Sequence, residues 1–157
     1  MRRLLAAAAL LTPMPVLAQA DPVCIRQEMV AGFGQWGKGG ATAPSINRPA
    51  TLALKPAGTV RFVPALARTP AAGTYGGFYA LQVAKAGRYR IALGQRAWID
   101  VVRGGTRLES VAHRHGPACS GIAKIVAFDL KPGRHWIQLS DARAPTIALM
   151  VSDRPAD

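Results

Sequence analysis

Acidic side chains are scarce. The 157 residues hold 8 Asp and Glu against 20 Lys and Arg, a formal charge of +12. Between Met29 and Ser140 the only acids are Asp100, Glu109 and Asp129, too few to favour glycosidase chemistry, which needs two carboxylates across a cleft. Cysteine is limited to Cys24 and Cys119. They form no C-x-x-C motif, so neither thioredoxin chemistry nor a zinc knuckle is suggested. No apolar run reaches the roughly 20 residues that span a bilayer, which excludes a channel or transporter. Helical periodicity is nearly absent and aromatics make up 6%. Half the residues are apolar, too many for a disordered basic tail. The length argues for one domain.

The first twenty residues read as a secretory signal peptide. Arg2 and Arg3 form the charged start, Leu4–Leu11 the apolar stretch, and Ala18-Gln19-Ala20 the cleavage site. A membrane anchor is the alternative, and the short, proline-interrupted stretch weighs against it. Arg2-Arg3 lacks the flanks of a twin-arginine signal, and Cys24 lacks a lipobox. Removing residues 1–20 leaves 137 residues with a charge of +10, in a periplasmic or secreted chain. In an oxidising compartment Cys24 and Cys119 are most simply one disulfide. A reactive thiol or a metal ligand is the alternative.

Three passages share one pattern: Leu52–Phe62, Leu81–Leu93 and Phe128–Leu139. Each alternates apolar and polar residues, turns through a Gly, and alternates again. Period two places Leu81, Val83, Tyr89, Ile91 and Leu93 on one face of a sheet. Each passage therefore predicts a hairpin or a sheet-to-sheet corner. Trp98–Val102 is strongly β-prone and turns at Gly104-Gly105 into Arg107–Val111, with Trp98 assigned to the core. Ile122–Phe128 and Thr146–Val151 are further strands. About eight or nine strands with regular turn signals predict an all-β fold, a jelly-roll-like two-sheet antiparallel β-sandwich. The expected organisation is a signal peptide over 1–20, an N-terminal arm with a Gly-rich loop over 21–49, and the sandwich over 50–157. The Gly-rich stretch Gly32–Gly40 has no flanking strand and helix and no Gly-Lys-Ser/Thr ending, so it does not predict nucleotide binding.

The segments Trp98–Arg103, His113–Ile122 and Phe128–Arg134, with Cys119-Ser120-Gly121-Ile122 the most specific part, resemble a group of small exported proteins of alphaproteobacteria. The likeness runs from about Gly73 to Val151. The function of that group is not established, and its members often carry the label homogentisate 1,2-dioxygenase. That label implies a cupin-type oxygenase with iron held by two His and one carboxylate. The cupin pattern sets a Glu after a spacer of three or four residues beyond its His-x-His unit, where this chain has Cys119 and Ser120. It sets a Gly six residues before the first His, where this chain has Arg107. The alternation is also similar to PPC-type sandwiches found beside secreted peptidases.

His113 and His115 are the most suggestive pair. In an extended segment both imidazoles point to one side and could share a divalent metal, with Glu109 the nearest carboxylate. The alternative is a pair of surface histidines in a loop beside the disulfide. Ser120 is not in a Gly-x-Ser-x-Gly elbow, and a triad with His113 or His115 and Glu109 can be written for many sequences. The positive charge is the firmer observation. For an exported chain the available polyanions are lipopolysaccharide, anionic polysaccharide and lipid headgroups rather than nucleic acid. Arg88, Arg90, Arg134 and Trp136 are the candidate ligand contacts, with Trp136 out of phase with Ile137. The sequence thus predicts an exported, non-catalytic binding or envelope-associated module. Its partner would be an anionic envelope component or an envelope protein. It would have no resident cofactor and no membrane-spanning segment. A small metal-binding protein and the oxygenase are the alternatives.

Overall fold

The computed structural model describes Cys24 and residues 29–155. The expected signal peptide lies outside the described residues. Ten strands build two five-stranded antiparallel sheets: β1 (Pro49–Ala53), β2 (Lys55–Pro56), β3 (Tyr75–Val83), β4 (Gly87–Leu93), β5 (Trp98–Arg103), β6 (Thr106–Leu108), β7 (Ala112–Arg114), β8 (Lys124–Leu130), β9 (Gly133–Ala142) and β10 (Thr146–Ser152). The first sheet has the order β1-β10-β4-β8-β7 and the second β2-β3-β9-β5-β6. The pairs β1·β10, β3·β9, β4·β8 and β5·β6 are nested, each inside the last. A long antiparallel ribbon, turned at Gly104-Gly105, is rolled into two layers. That is the jelly-roll arrangement.

The three alternating passages are all corners rather than hairpins. β1 to β2, β3 to β4 and β8 to β9 each cross from one sheet to the other. In the first, Pro56 leads into a single 3-10 turn at Ala57–Thr59, and Val60–Phe62 forms no return strand. Pro56 has no N–H to continue a ladder.

The period-two residues Leu81, Val83, Tyr89, Ile91 and Leu93 all lie in the core between the sheets, with Ile137, Leu139, Ile147 and Leu149. Burying such side chains contributes about 1.5–3 kcal/mol each. The outer faces are also covered. Over the first sheet, Val30, Phe33 and Trp36 pack on Ala92, Ile125 and Met150. The Cys24–Cys119 disulfide (Cα–Cα 5.4 Å) ties the chain ahead of this segment to the loop before β8. Over the second sheet runs the loop of residues 60–74. Its Pro64 carbonyl accepts from Gln138 Nε2 (3.0 Å) and its Ala65 carbonyl from Arg107 (2.7 Å). Trp98, assigned to the core from sequence, is 40% exposed. It alternates with the buried Ile99, so its ring falls on the outer side.

Candidate functional site

One end of the sandwich gathers positive charge. The β3–β4 corner holds Lys85, the β8–β9 corner holds Lys131, and the β5–β6 hairpin begins at Arg103. The register brings them together: Val83 lies opposite Gly133, and Gly87 opposite Leu130. Arg88 and Arg134 flank the two corners. Lys85, Arg88, Lys131 and Arg134 are exposed and Arg103 is half-buried. Among the described residues the one carboxylate beside them is Asp129, which takes Arg88 in a two-point ion pair (2.9 and 3.1 Å). That pair holds the Asp129 carboxyl below its usual value, chiefly through the Arg88 hydrogen bond, and raises Arg88. Five cations against one carboxylate leave a positive field at this end.

The cations stand on a fixed base. Tyr89 Oη donates to the Lys85 carbonyl from inside (2.8 Å), and Arg103 donates to the Pro132 carbonyl (2.9 Å), fastening the hairpin to the corner. Beneath lies His135, fully buried, with Nδ1 3.2 Å from the Gly133 carbonyl. Burial lowers its pKa, the Gly133 carbonyl raises it and Arg103 lowers it further, with a net downward shift.

Arg134 and Trp136 share the outer face of β9, since side chains two apart point the same way. Trp136 is half-buried and stacks on Phe78, with ring centroids 4.7 Å apart and planes within 3°. An aromatic ledge therefore adjoins the cations.

Arg90 requires correction. It was expected at the surface beside Arg88, yet it is 7% exposed. Its Nη2 reaches the carbonyls of Ala31, Arg154 and Pro155 at 2.7–2.9 Å. Its guanidinium lies 5.1 Å over the Phe33 ring. The terminal segments of the described chain close over it, so its guanidinium is engaged in holding the fold rather than standing on the surface.

His113 and His115 flank the end of β7, and both are exposed. His113 lies opposite Val126 in the ladder, while His115 Nδ1 is 3.4 Å from the Ala123 carbonyl. Glu109 is exposed in the β6–β7 connection. Among the described residues no group of three or more His, Cys, Asp or Glu side chains is placed to hold a metal ion. The trio His113, His115 and Glu109 is therefore not assembled. Cys119 is joined to Cys24 and is no free thiol.

A second concavity escaped the sequence reading. It lies between the sheets at the opposite end of β8 and is lined by Trp98, Ile99, Asp100, Leu108, Ser110, His113, Lys124, Val126 and Phe128. Its only signal in the sequence is phase: Lys124 alternates with Val126 and Phe128, and so points between the sheets.

Comparison with family models, with curated proteins and with solved structures returned no match. Function must therefore be argued from the geometry.

Proposed function

We propose that this chain is an exported, non-catalytic binding module whose basic end takes an anionic envelope glycan, either an acidic polysaccharide or the phosphorylated sugars of lipopolysaccharide. The observation that carries this reading is the convergence of Lys85, Arg88, Arg103, Lys131 and Arg134 on three adjoining turns, where Asp129 is the one carboxylate among the described residues that opposes them. Trp136, on the same face as Arg134, offers an apolar surface on which a sugar ring can rest. Cations placed on rigid corners bind a polyanion without first being ordered, which favours affinity. The disulfide supports export, because such bonds persist in oxidising compartments. Among the described residues no helix is long and apolar enough to cross a membrane.

Retention on immobilised acidic polysaccharide and on lipopolysaccharide, measured across a salt gradient, tests the reading. The wild-type chain should elute at higher salt than the triple variant Lys85→Glu/Lys131→Glu/Arg134→Glu. Trp136→Ala should lower retention on polysaccharide and leave retention on a plain sulfonate resin unchanged. Retention indifferent to salt, or equal in the triple variant, overturns the reading.

A further inference from the structure

A sheet edge presents unpaired backbone N–H and C=O groups, and proteins guard it with Pro, charge, a short strand or a cover. The strands that end each sheet here are guarded. Ala41 lies along β1, its carbonyl accepting from the Thr51 N–H (2.8 Å). β2 is Lys55-Pro56, and β6 and β7 are three residues each, with Arg107 and Arg114. β3 is different. β2 pairs with Tyr75 and Gly76 alone. From Phe78 to Val83 the strand pairs with β9 on one side. Among the described residues no backbone hydrogen bond reaches Phe78–Val83 from the other side. This open edge, Phe-Tyr-Ala-Leu-Gln-Val, carries no charge and no Pro. It is about 20 Å long.

The edge has a firm back and one charged end. Tyr79 Oη donates to the Ala53 carbonyl of β1, and its ring lies against Gly77, where a Cβ would collide. The seam behind the edge is therefore closed. On the outer face Phe78 is half-buried against Trp136, while Ala80 and Gln82 are exposed. At the Phe78 end a hollow of about 300 Å³ is lined by Lys55, Arg61, Gly77, Phe78 and Tyr79, with Ala53 and Thr59 beside them. Lys55 and Arg61 are exposed, and among the described residues neither forms an ion pair.

The occupant follows from these groups. A row of alternating backbone donors and acceptors is matched by an extended segment. Such a segment cannot run on past the Phe78 end, because Lys55 already lies opposite Gly76. A chain end must therefore sit there. Lys55 and Arg61 attract a carboxylate and repel an ammonium. The end is thus a C-terminus, and the segment runs antiparallel to β3. A second copy of this chain does not fit: pairing Phe78–Val83 with itself would bring the second copy's Lys85 opposite Gly76, onto Lys55. We propose that the open edge of β3 takes the C-terminal tail of another polypeptide as an added strand. The tail's last residue lies opposite Phe78, with its carboxylate held by Lys55 and Arg61. Its third-from-last residue lies opposite Ala80, whose small side chain leaves room for an apolar group beside Phe78.

The probes are fluorescein-labelled hexapeptides with a free carboxylate, Ser-Thr-Ser-Xaa-Thr-Val, in which Xaa is Phe, Val or Asp. Fluorescence anisotropy reads their binding to the wild-type protein. The Phe and Val probes should bind saturably and one to one, with the Asp probe and the C-terminal amide of the Phe probe weaker by about tenfold or more. Lys55→Glu/Arg61→Glu alters two exposed side chains, and should remove the preference for acid over amide. N-methylation of alternate amides of the Phe probe should abolish binding in one alternate set and spare it in the other, since only one set faces β3. Bound probe should slow hydrogen exchange within Phe78–Val83. The triple variant Lys85→Glu/Lys131→Glu/Arg134→Glu should keep the preference for acid over amide, so this edge and the basic corners fail or stand separately. No saturable binding of any of the three acids to folded wild-type protein up to about 1 mM, equal binding of acid and amide, or protection confined to other strands overturns the proposal.

Discussion

Gly32 sits at φ +80°, and a Cβ built there would run into the Arg90 guanidinium. Both facts demand glycine, because L-residues avoid this φ and the guanidinium is held in place by its carbonyls. Gly32→Ala is expected to destabilise the protein by about 1–3 kcal/mol in urea unfolding, and to loosen residues 29–36 in hydrogen exchange. His135 gives a pH dependence whose sign is fixed. Its folded pKa lies below the ordinary 6.5, so the unfolded chain binds the proton more readily. The stability it supplies is complete above about pH 6.5 and is lost as pH falls from there toward the folded value. Urea midpoints should therefore drop from pH 7.5 to pH 5.5 by more in wild type than in His135→Gln. At this scale the sequence misled twice. Arg90 and Trp98 are residues whose type suggests one environment and whose neighbours impose the other. Arg90 is buried by segments distant in sequence, and Trp98 is left half outside because Ile99 takes the interior.

Among the elements, the loop of residues 60–74 carries little regular structure, and beyond its Pro64 and Ala65 anchors one carboxylate holds it. Asp141 accepts from Arg68 (2.7 Å) and from the Ala71 N–H (2.8 Å), and takes φ 56° itself. The Ala71 hydrogen bond is the main cause that holds its carboxyl below the usual value, with Arg68 adding to it. Asp141→Asn tolerates the backbone and loses the charge. It should lower stability by about 1–2 kcal/mol and make residues 60–74 the first site of limited proteolysis. Asn keeps an oxygen for the Ala71 N–H, so that contact weakens from a charge-assisted to a neutral hydrogen bond; the Arg68 partner is largely exposed, so added salt should mimic only a minor part of the loss. The strands themselves were legible, because alternation in Leu81–Leu93 and Phe128–Leu139 is a local signal. Whether each turn closed a hairpin or crossed between sheets was not, since that depends on which strand arrives alongside later in the chain. The same blindness hid the concavity beside Lys124, whose walls come from four separate segments. The basic corners were half visible: Arg88 and Arg134 stood out by type, but Lys85 and Lys131 join them only through the register.

For the molecule as a whole, the disulfide closes a loop spanning 95 positions. The chain-entropy relation gives about 4–5 kcal/mol for such a loop. Cys24→Ser/Cys119→Ser, or reduction, should lower the unfolding free energy by about that amount. Binding at the basic corners should persist, because their register is set by β3, β4, β8 and β9. A fall in stability together with loss of polyanion retention at a temperature where the variant is folded would mean that the bond shapes those corners too. The nested pairing has another consequence. With β1 beside β10, and the carbonyls of Ala31 and Pro155 on the same nitrogen of Arg90, the path into the sandwich and the path out of it run side by side. Such a body behaves as a cassette. Splicing it into a surface loop of a host protein should therefore strain neither junction.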